Sequence, residues 1–254
     1  MNSTAPDPAI NAGLRREAVW NKEPLPHVRR IVAVASGKGG VGKSTTAVNL
    51  AVTMRGMGKR AGILDADIYG PSIPHMLGVF GKPEIENGKM IPAAPHGITC
   101  MSMGFITDQA AVFRGPMISK TLQQLLRFTR WGTEDAPLDM LLVDMPPGTG
   151  DIHLSMAQLV PLDGAVIVTT PQAVALLDAK KCAEMFRKVN VPILGVIENM
   201  SGELFGSGGG KTLADELHVP FLGSIPATPA IREASDSGQP RELPVFTEIA
   251  GKLL

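Results

Sequence analysis

Nine residues near the start of the chain, GKGGVGKST from Gly37 to Thr45, restrict its fold more than any other segment. They match the phosphate-loop pattern G-x-x-x-x-G-K-[ST] without a mismatch. The preceding run IVAVAS, Ile31 to Ser36, is apolar and β-branched, as a buried strand requires. The following run TTAVNLAVTMRGMG predicts a helix that ends near Gly56 or Gly58. Strand, glycine loop and helix is the context in which this motif binds phosphate. Gly37, Gly39, Gly40 and Gly42 let the backbone curl, so that its N–H groups, Val41 among them, converge on phosphate oxygens. The helix N-terminus adds partial positive charge. Lys43 is expected to reach the β- and γ-phosphates, and the Ser44 hydroxyl to sit on Mg²⁺, with Thr45 closing the loop. Lys38 occupies a loosely specified position. It either fills that position passively or supplies a second cation, which in a facing subunit would act as an arginine finger does.

The rest of the chain agrees with one large α/β domain. With 254 residues, 44% hydrophobic and 19% charged, it can bury about three quarters of its unfolded surface. Lys plus Arg and Asp plus Glu number 24 each, so no global field favours nucleic acid or an anionic membrane. Cys100 and Cys182 lie far apart in sequence, and neither a disulfide framework nor metal spacing is present. The N-terminus shows no secretory apolar core, and no apolar run approaches the ~18 residues of a membrane span. The expected compartment is the reducing cytoplasm. Residues 1–28 are polar and proline-containing, read as a mobile tail with a short helix around Leu14 to Trp20. From 29 to 254 strand and helix signals alternate. RAGILDAD, GITCMSMGF, LDMLLVD, AVIVTT, PILGVIEN and PFLGSIP read as strands; SKTLQQLLRFTRW and VALLDAKKCAEMFRKV read as helices. In the latter, Leu177, Cys182, Met185, Phe186 and Val189 recur near helical period. The expected fold is a three-layer α/β/α domain with a mostly parallel, doubly wound sheet.

Two acidic strand ends complete the chemistry. LDAD, Leu64 to Asp67, sets two carboxylates at i and i+2 toward the edge where ligands of open α/β sheets bind. Of this pair Asp65 is expected in the Mg²⁺ water shell and Asp67 to orient the attacking water. LLVDMPPGTGD ends an apolar strand in Asp144, a carboxylate placed to act on Mg²⁺ through water. The Pro147, Gly148 and Gly150 that follow form a stiff turn with glycines, able to offer an N–H to a γ-phosphate and to change shape when it leaves.

These segments resemble a known family. GKGGVGKST is similar to the deviant Walker A loop of the MinD/ParA/nitrogenase-iron-protein group. SGKGGVGKST, LDADIYGPSIPHMLG, RGPMISKTLQQLL, VDMPPGTGD, AVIVTTPQAVALLDAKK, GVIENMS and IREASDSGQP together resemble the Mrp/ApbC-type P-loop ATPases over roughly residues 24–245. The resemblance implies ATP binding and hydrolysis with Mg²⁺, a nucleotide-sandwich homodimer, and a role as carrier of [4Fe–4S] clusters to protein clients. It makes Lys38 the signature lysine, Asp67 the switch I acid, Asp144 the Walker B acid and Asn199 an adenine contact. The alternative it leaves is a positioning or partner-docking ATPase of MinD or ParA type, although no membrane helix or arginine-rich stripe is present.

The chain departs from this family after ENMS. In the carriers ENMS is followed by a C-x-x-C pair and then an FG-GGG segment; here the stretch reads ENMSGELFGSGGGKTLADEL. The FGSGGG is present and the cysteine pair is not, whereas a bridging cluster ordinarily takes four thiolates. Cys100, in a strand, and Cys182, on an amphipathic helix, read as small buried hydrophobes. No iron–sulfur ligand is therefore assigned.

Overall fold

The structure, a computed structural model, describes residues 22–106 and 115–254. The helix expected around Leu14 to Trp20 lies outside the described residues. In chain order the elements are β1 (Ile31–Ala35), α1 (Lys43–Gly56), β2 (Ala61–Asp65), α2 (Ile73–Met76), β3 (Ile85–Glu86), β4 (Lys89–Met90), β5 (Thr99–Ser102) and α3 (Gly115–Phe128). There follow β6 (Met140–Asp144), α4 (Asp151–Leu159), β7 (Gly164–Thr169), α5 (Ala173–Lys188), β8 (Ile193–Ser201), α6 (Gly209–Leu217), β9 (Phe221–Pro226), α7 (Pro229–Asp236) and α8 (Pro244–Leu253).

Seven strands form one sheet in the order β5-β2-β6-β1-β7-β8-β9, and every neighbouring pair is parallel. All five residues of β1, β2 and β6 are buried, which is why they read as continuous apolar runs and not as alternating ones. The chain after β1 goes to one side for β2 and later to the other for β7. The strand order thus reverses beside β1, and ligands of such sheets bind at the carboxyl end of that reversal. The phosphate loop leaves the sheet there. Helices cover the sheet on both sides, giving the α/β/α architecture expected. α1 is buried along most of its length because it lies between the sheet and α8, whose Phe246, Ile249 and Leu253 are each at most 3% exposed.

Three local expectations need correction. On α5 the buried stripe is Ala175, Ala179, Cys182, Ala183 and Phe186, whereas Leu177 is 63% exposed. Leu177 stands two residues from Ala175 and Ala179, about 200° around the helix. Helix α3 stops at Phe128 and does not run through Trp131, because Thr129 pairs with Met90 and the buried Trp131 indole donates back to the Leu126 carbonyl at 3.1 Å. The domain's packing also begins before residue 29: Leu25 is 3% exposed, and the Leu138 N–H donates to the His27 carbonyl at 2.8 Å. β3 and β4 form a separate antiparallel ribbon whose turn is Asn87-Gly88, both at positive φ (49° and 73°), the chemistry of a two-residue hairpin.

Candidate functional site

Gly42 caps α1 in the left-handed region, φ 79°, and the helix starts at Lys43, so its unpaired N–H groups open onto the loop. Ser36 stiffens the loop's entry, its hydroxyl donating to the Lys38 carbonyl at 3.0 Å. Lys38 itself is exposed, with no ion pair among the described residues. A cavity of about 180 Å3 is lined by Ser36, Lys38, Gly39, Gly40, Gly42, Lys43, Ser44, Thr45, Asp67 and Pro147, among others. A larger one, about 510 Å3, shares Asp67 and Pro147 with it and continues over Gly150 toward α3. The loop, Asp67 and the Pro147–Gly150 turn therefore meet at one place, although they follow three different strands.

Lys43 Nζ lies 2.5 Å from Asp144 Oδ1, with side chains 6% and 0% exposed. Burial pushes the Asp144 carboxyl up, and the Lys43 charge and the Ser44 hydroxyl pull it back. The other oxygen, Oδ2, is buried without a hydrogen-bond partner among the described residues. A buried carboxylate oxygen with no donor, beside a partly exposed serine hydroxyl, fits the water shell of Mg²⁺.

The acids of LDAD take different roles. Asp65 Oδ1 accepts the Asp67 N–H at 3.1 Å, while Oδ2 accepts the Ile73 N–H at 3.2 Å and the Ser102 hydroxyl at 3.0 Å. Burial, then the neighbouring Asp144, push its carboxyl up to about 7. Asp65 ties β2 to α2 and β5, and it does not line the loop cavity. This placement favours an anchoring role over the expected place in the magnesium water shell. Asp67 does line the cavity. Its Oδ1 accepts the Tyr69 and Gly70 N–H groups, both at 3.2 Å, and Oδ2 has no donor among the described residues. That oxygen is free to orient a water.

Gly148, at φ 94°, donates its N–H to the Ser36 carbonyl at 2.9 Å, which latches the Pro147–Gly150 turn to the base of the glycine loop. His153, in the first turn of α4, lies wholly buried beneath this turn, its ring edge-on to Phe186. Burial pushes its imidazole down to about 4, partly offset by backbone groups of Gly150 and Pro146, so it is neutral at physiological pH.

Asn199 supports the loop from behind. Its side-chain N–H donates to the Val41 carbonyl at 2.8 Å, and a Cβ on Gly42 would fall 2.0 Å from the same nitrogen. Glu198, next to it, was not picked out from sequence. Its carboxylate accepts the N–H groups of Gly208 (3.0 Å) and Gly210 (2.7 Å) and the Ser224 hydroxyl (3.0 Å). It thus satisfies the N-terminus of α6 and fastens the FGSGGG segment to β8. The available signal was a charged residue inside the apolar run PILGVIEN. The segment Gly202–Gly206 closes on itself through two backbone hydrogen bonds, with Leu204 at its tip 83% exposed. Cys100 is buried on β5 at one edge of the sheet, and Cys182 on α5 near β7 and β8. Burial pushes both thiols up, Cys182 to about 12, so neither is poised to ligate metal.

A parallel doubly wound sheet with a glycine loop at its reversal point, a buried lysine–aspartate pair and a second acid facing the loop defines a P-loop NTPase. Comparison with known proteins agrees. The family model for ParA-type proteins, described as the NUBPL iron-transfer P-loop NTPase, matches residues 27–250, and the chain belongs to that family of ATPases. The mouse (Mus musculus) iron-sulfur cluster transfer protein NUBPL is 51% identical over 234 residues, covering 86% of this chain and 72% of that protein. An iron-sulfur cluster carrier protein of Pseudomonas fragi is 53% identical over 231 residues, 85% of this chain and 79% of the carrier. A solved nucleotide-binding protein from Archaeoglobus fulgidus, in complex with ADP, superposes with a TM-score of 0.74 at 34% identity. That superposition covers 87% of this chain and 91% of the archaeal one.

Proposed function

We propose that this protein is an Mg²⁺-dependent, ATP-hydrolysing homodimeric switch that takes part in carrying iron–sulfur clusters to protein clients in the cytoplasm. The carrying observation is the buried Lys43–Asp144 pair facing a glycine loop, with Asp67 Oδ2 free across the same cavity. Lys43 exchanges Asp144 for phosphate oxygens when the triphosphate enters. The loop N–H groups and the α1 N-terminus hold the remaining phosphate charge. Ser44 and Asp144 would hold Mg²⁺, the acid through water, and the ion would supply positive charge against the phosphoryl oxygens. Asp67 orients the attacking water, and the Pro147–Gly150 turn senses the γ-phosphate when the Gly148 N–H leaves the Ser36 carbonyl for it. Lys38, exposed at the tip of the loop, reaches the nucleotide of the second subunit. Asn199 positions the loop and adjoins the base. The relatives' names carry the cluster role to this chain, where the cluster is cargo.

Asp67→Ala is expected to keep ATP affinity within about threefold and to lose at least about a hundredfold in turnover. In that variant ATP with Mg²⁺ should double the mass seen by light scattering, and adding Lys38→Ala should weaken the doubling. A strictly monomeric Asp67→Ala protein at saturating ATP refutes the switch. A second expectation concerns the cargo. Because Cys100 and Cys182 are buried and do not face one another across a common surface, the isolated protein should not retain a stoichiometric [4Fe–4S] cluster after anaerobic reconstitution. The remaining ligands then come from a partner. Iron and acid-labile sulfide counted per dimer, in wild type and in Cys100→Ser/Cys182→Ser, decide this. A full cluster that disappears in the double variant restores a self-sufficient carrier.

A further inference from the structure

At the amino ends of β2, β5 and β6, opposite the phosphate loop, lies an open groove of about 580 Å3. Arg55, Lys59, Arg60 and Arg130 line it, and all four are exposed. Among the described residues the side chains of Arg55, Lys59 and Arg60 make no ion pair or hydrogen bond. Arg130 has only Glu86, at 3.3 Å, both half in water. Asp139, beside the groove, is already occupied by Arg29 at 2.6 Å and by the Arg60 backbone N–H at 2.8 Å, and the acids at its margin, Glu134, Asp135 and Glu242, pair with none of the four cations among the described residues. A chain with equal numbers of acids and bases therefore gathers four exposed cations on one concave surface, three of them unpaired among the described residues. The floor between them includes Gly58, Gly97, Gly132, Thr99 and Thr133. A Cβ on Gly58 would meet nothing within 4 Å, so a ligand backbone can approach closely there.

We propose that this groove docks an extended acidic segment of a partner protein. Four exposed cations spread along an open channel suit a long ligand held by several moderate contacts. A small phosphorylated metabolite would need polar side chains buried around it. Single-stranded nucleic acid stacks its bases on exposed rings, and the one aromatic residue of the groove, Trp131, is 3% exposed. An anionic membrane is a plane and is attracted by a net positive field, while these cations line a concavity on a chain of zero net charge. The floor is open to a peptide backbone at Gly58, while Arg55 covers Gly97 and the His27 carbonyl covers Gly132, and the partner's carboxylates lie at the cationic rim. The site lies away from the nucleotide loop and stands independently of the proposed switch.

The probe is a fluorescein-labelled oligoglutamate peptide, followed by anisotropy at low salt. Wild type should bind it, and Arg55→Glu/Arg60→Glu should weaken binding at least about tenfold. Lys82→Glu/Lys188→Glu makes the same change in net charge at exposed lysines outside the groove, unpaired among the described residues, and should weaken binding less than about twofold. ATP binding is expected to be unchanged in both variants, which establishes that they fold. Absence of peptide binding by wild type, or equal weakening in the two variants, overturns the proposal. So does tighter groove-dependent binding of a single-stranded oligonucleotide or of phosphatidylserine vesicles than of the peptide.

Discussion

Lys43→Ala is expected to lose nucleotide affinity by at least about a hundredfold and, as a separate effect, to destabilise the fold by about 3–5 kcal/mol. The first loss follows from removing the cation that meets the phosphates. The second follows from what Lys43 does without nucleotide. It is the ion-pair partner of Asp144, which is 0% exposed and already has one oxygen without a donor among the described residues. Taking the lysine away leaves a buried, uncompensated carboxylate. Such a group holds its proton to higher pH than it does when unfolded, so the destabilisation is small in acid and grows as pH rises. Adding Asp144→Asn should recover most of the stability at neutral pH, since the buried charge is gone, and none of the nucleotide affinity. Urea unfolding of the single and double variants, with calorimetric titration of ATP, separates the two effects. Wild-type affinity in Lys43→Ala would reject the phosphate site. A double variant no more stable than the single one would reject the ion-pair account.

Gly37→Ala is expected to be nearly as damaging, for a steric reason. A Cβ at this position would lie 2.0 Å from the Asp178 carbonyl oxygen and 2.6 Å from the Ala179 nitrogen, both backbone atoms of α5. No side-chain rotation relieves such a contact. α5 is held by buried Ala179, Cys182 and Phe186, so the phosphate loop is the part that moves. A shift of about 1 Å in a positioned loop costs on the order of a hundredfold in activity, and overpacking of this kind costs about 1–3 kcal/mol. Gly39→Ala is the control. Its Cβ would meet only Pro147, at 3.9 Å, and stability should change by less than about 0.5 kcal/mol. Thermal melts and nucleotide titration of the two variants test this ordering. Equal behaviour would mean that α5 yields and the loop does not depend on it.

The same two glycines show how far sequence reached. The pattern from Gly37 to Thr45 specified strand, loop and helix, because a phosphate loop requires local backbone curvature and a helix N-terminus, both encoded within nine residues. The apolar runs around it were enough for a parallel sheet, since strands buried on both faces carry no alternation. Asp144 stands out because it ends such a run, and Asp67 because it stands two residues beyond the end of one. What the pattern leaves unexplained is why glycine is needed at 37 and 42 and not at 39. The answer lies in α5 and in Asn199, over 140 and over 150 residues away in the chain. Asp65 and Asp67 look equivalent two residues apart, and only Ser102 and the Ile73 N–H, brought in by β5 and α2, turn one into an anchor. The role of Glu198 emerges only in the fold, because its donors, Gly208, Gly210 and Ser224, become neighbours when β9 pairs beside β8 and α6 packs against it. Local conformation follows from side-chain sterics and spacing along the chain. Which carboxylate is left facing the cavity is decided by hydrogen-bond donors that arrive from distant segments, and their arrival depends on the packed sheet.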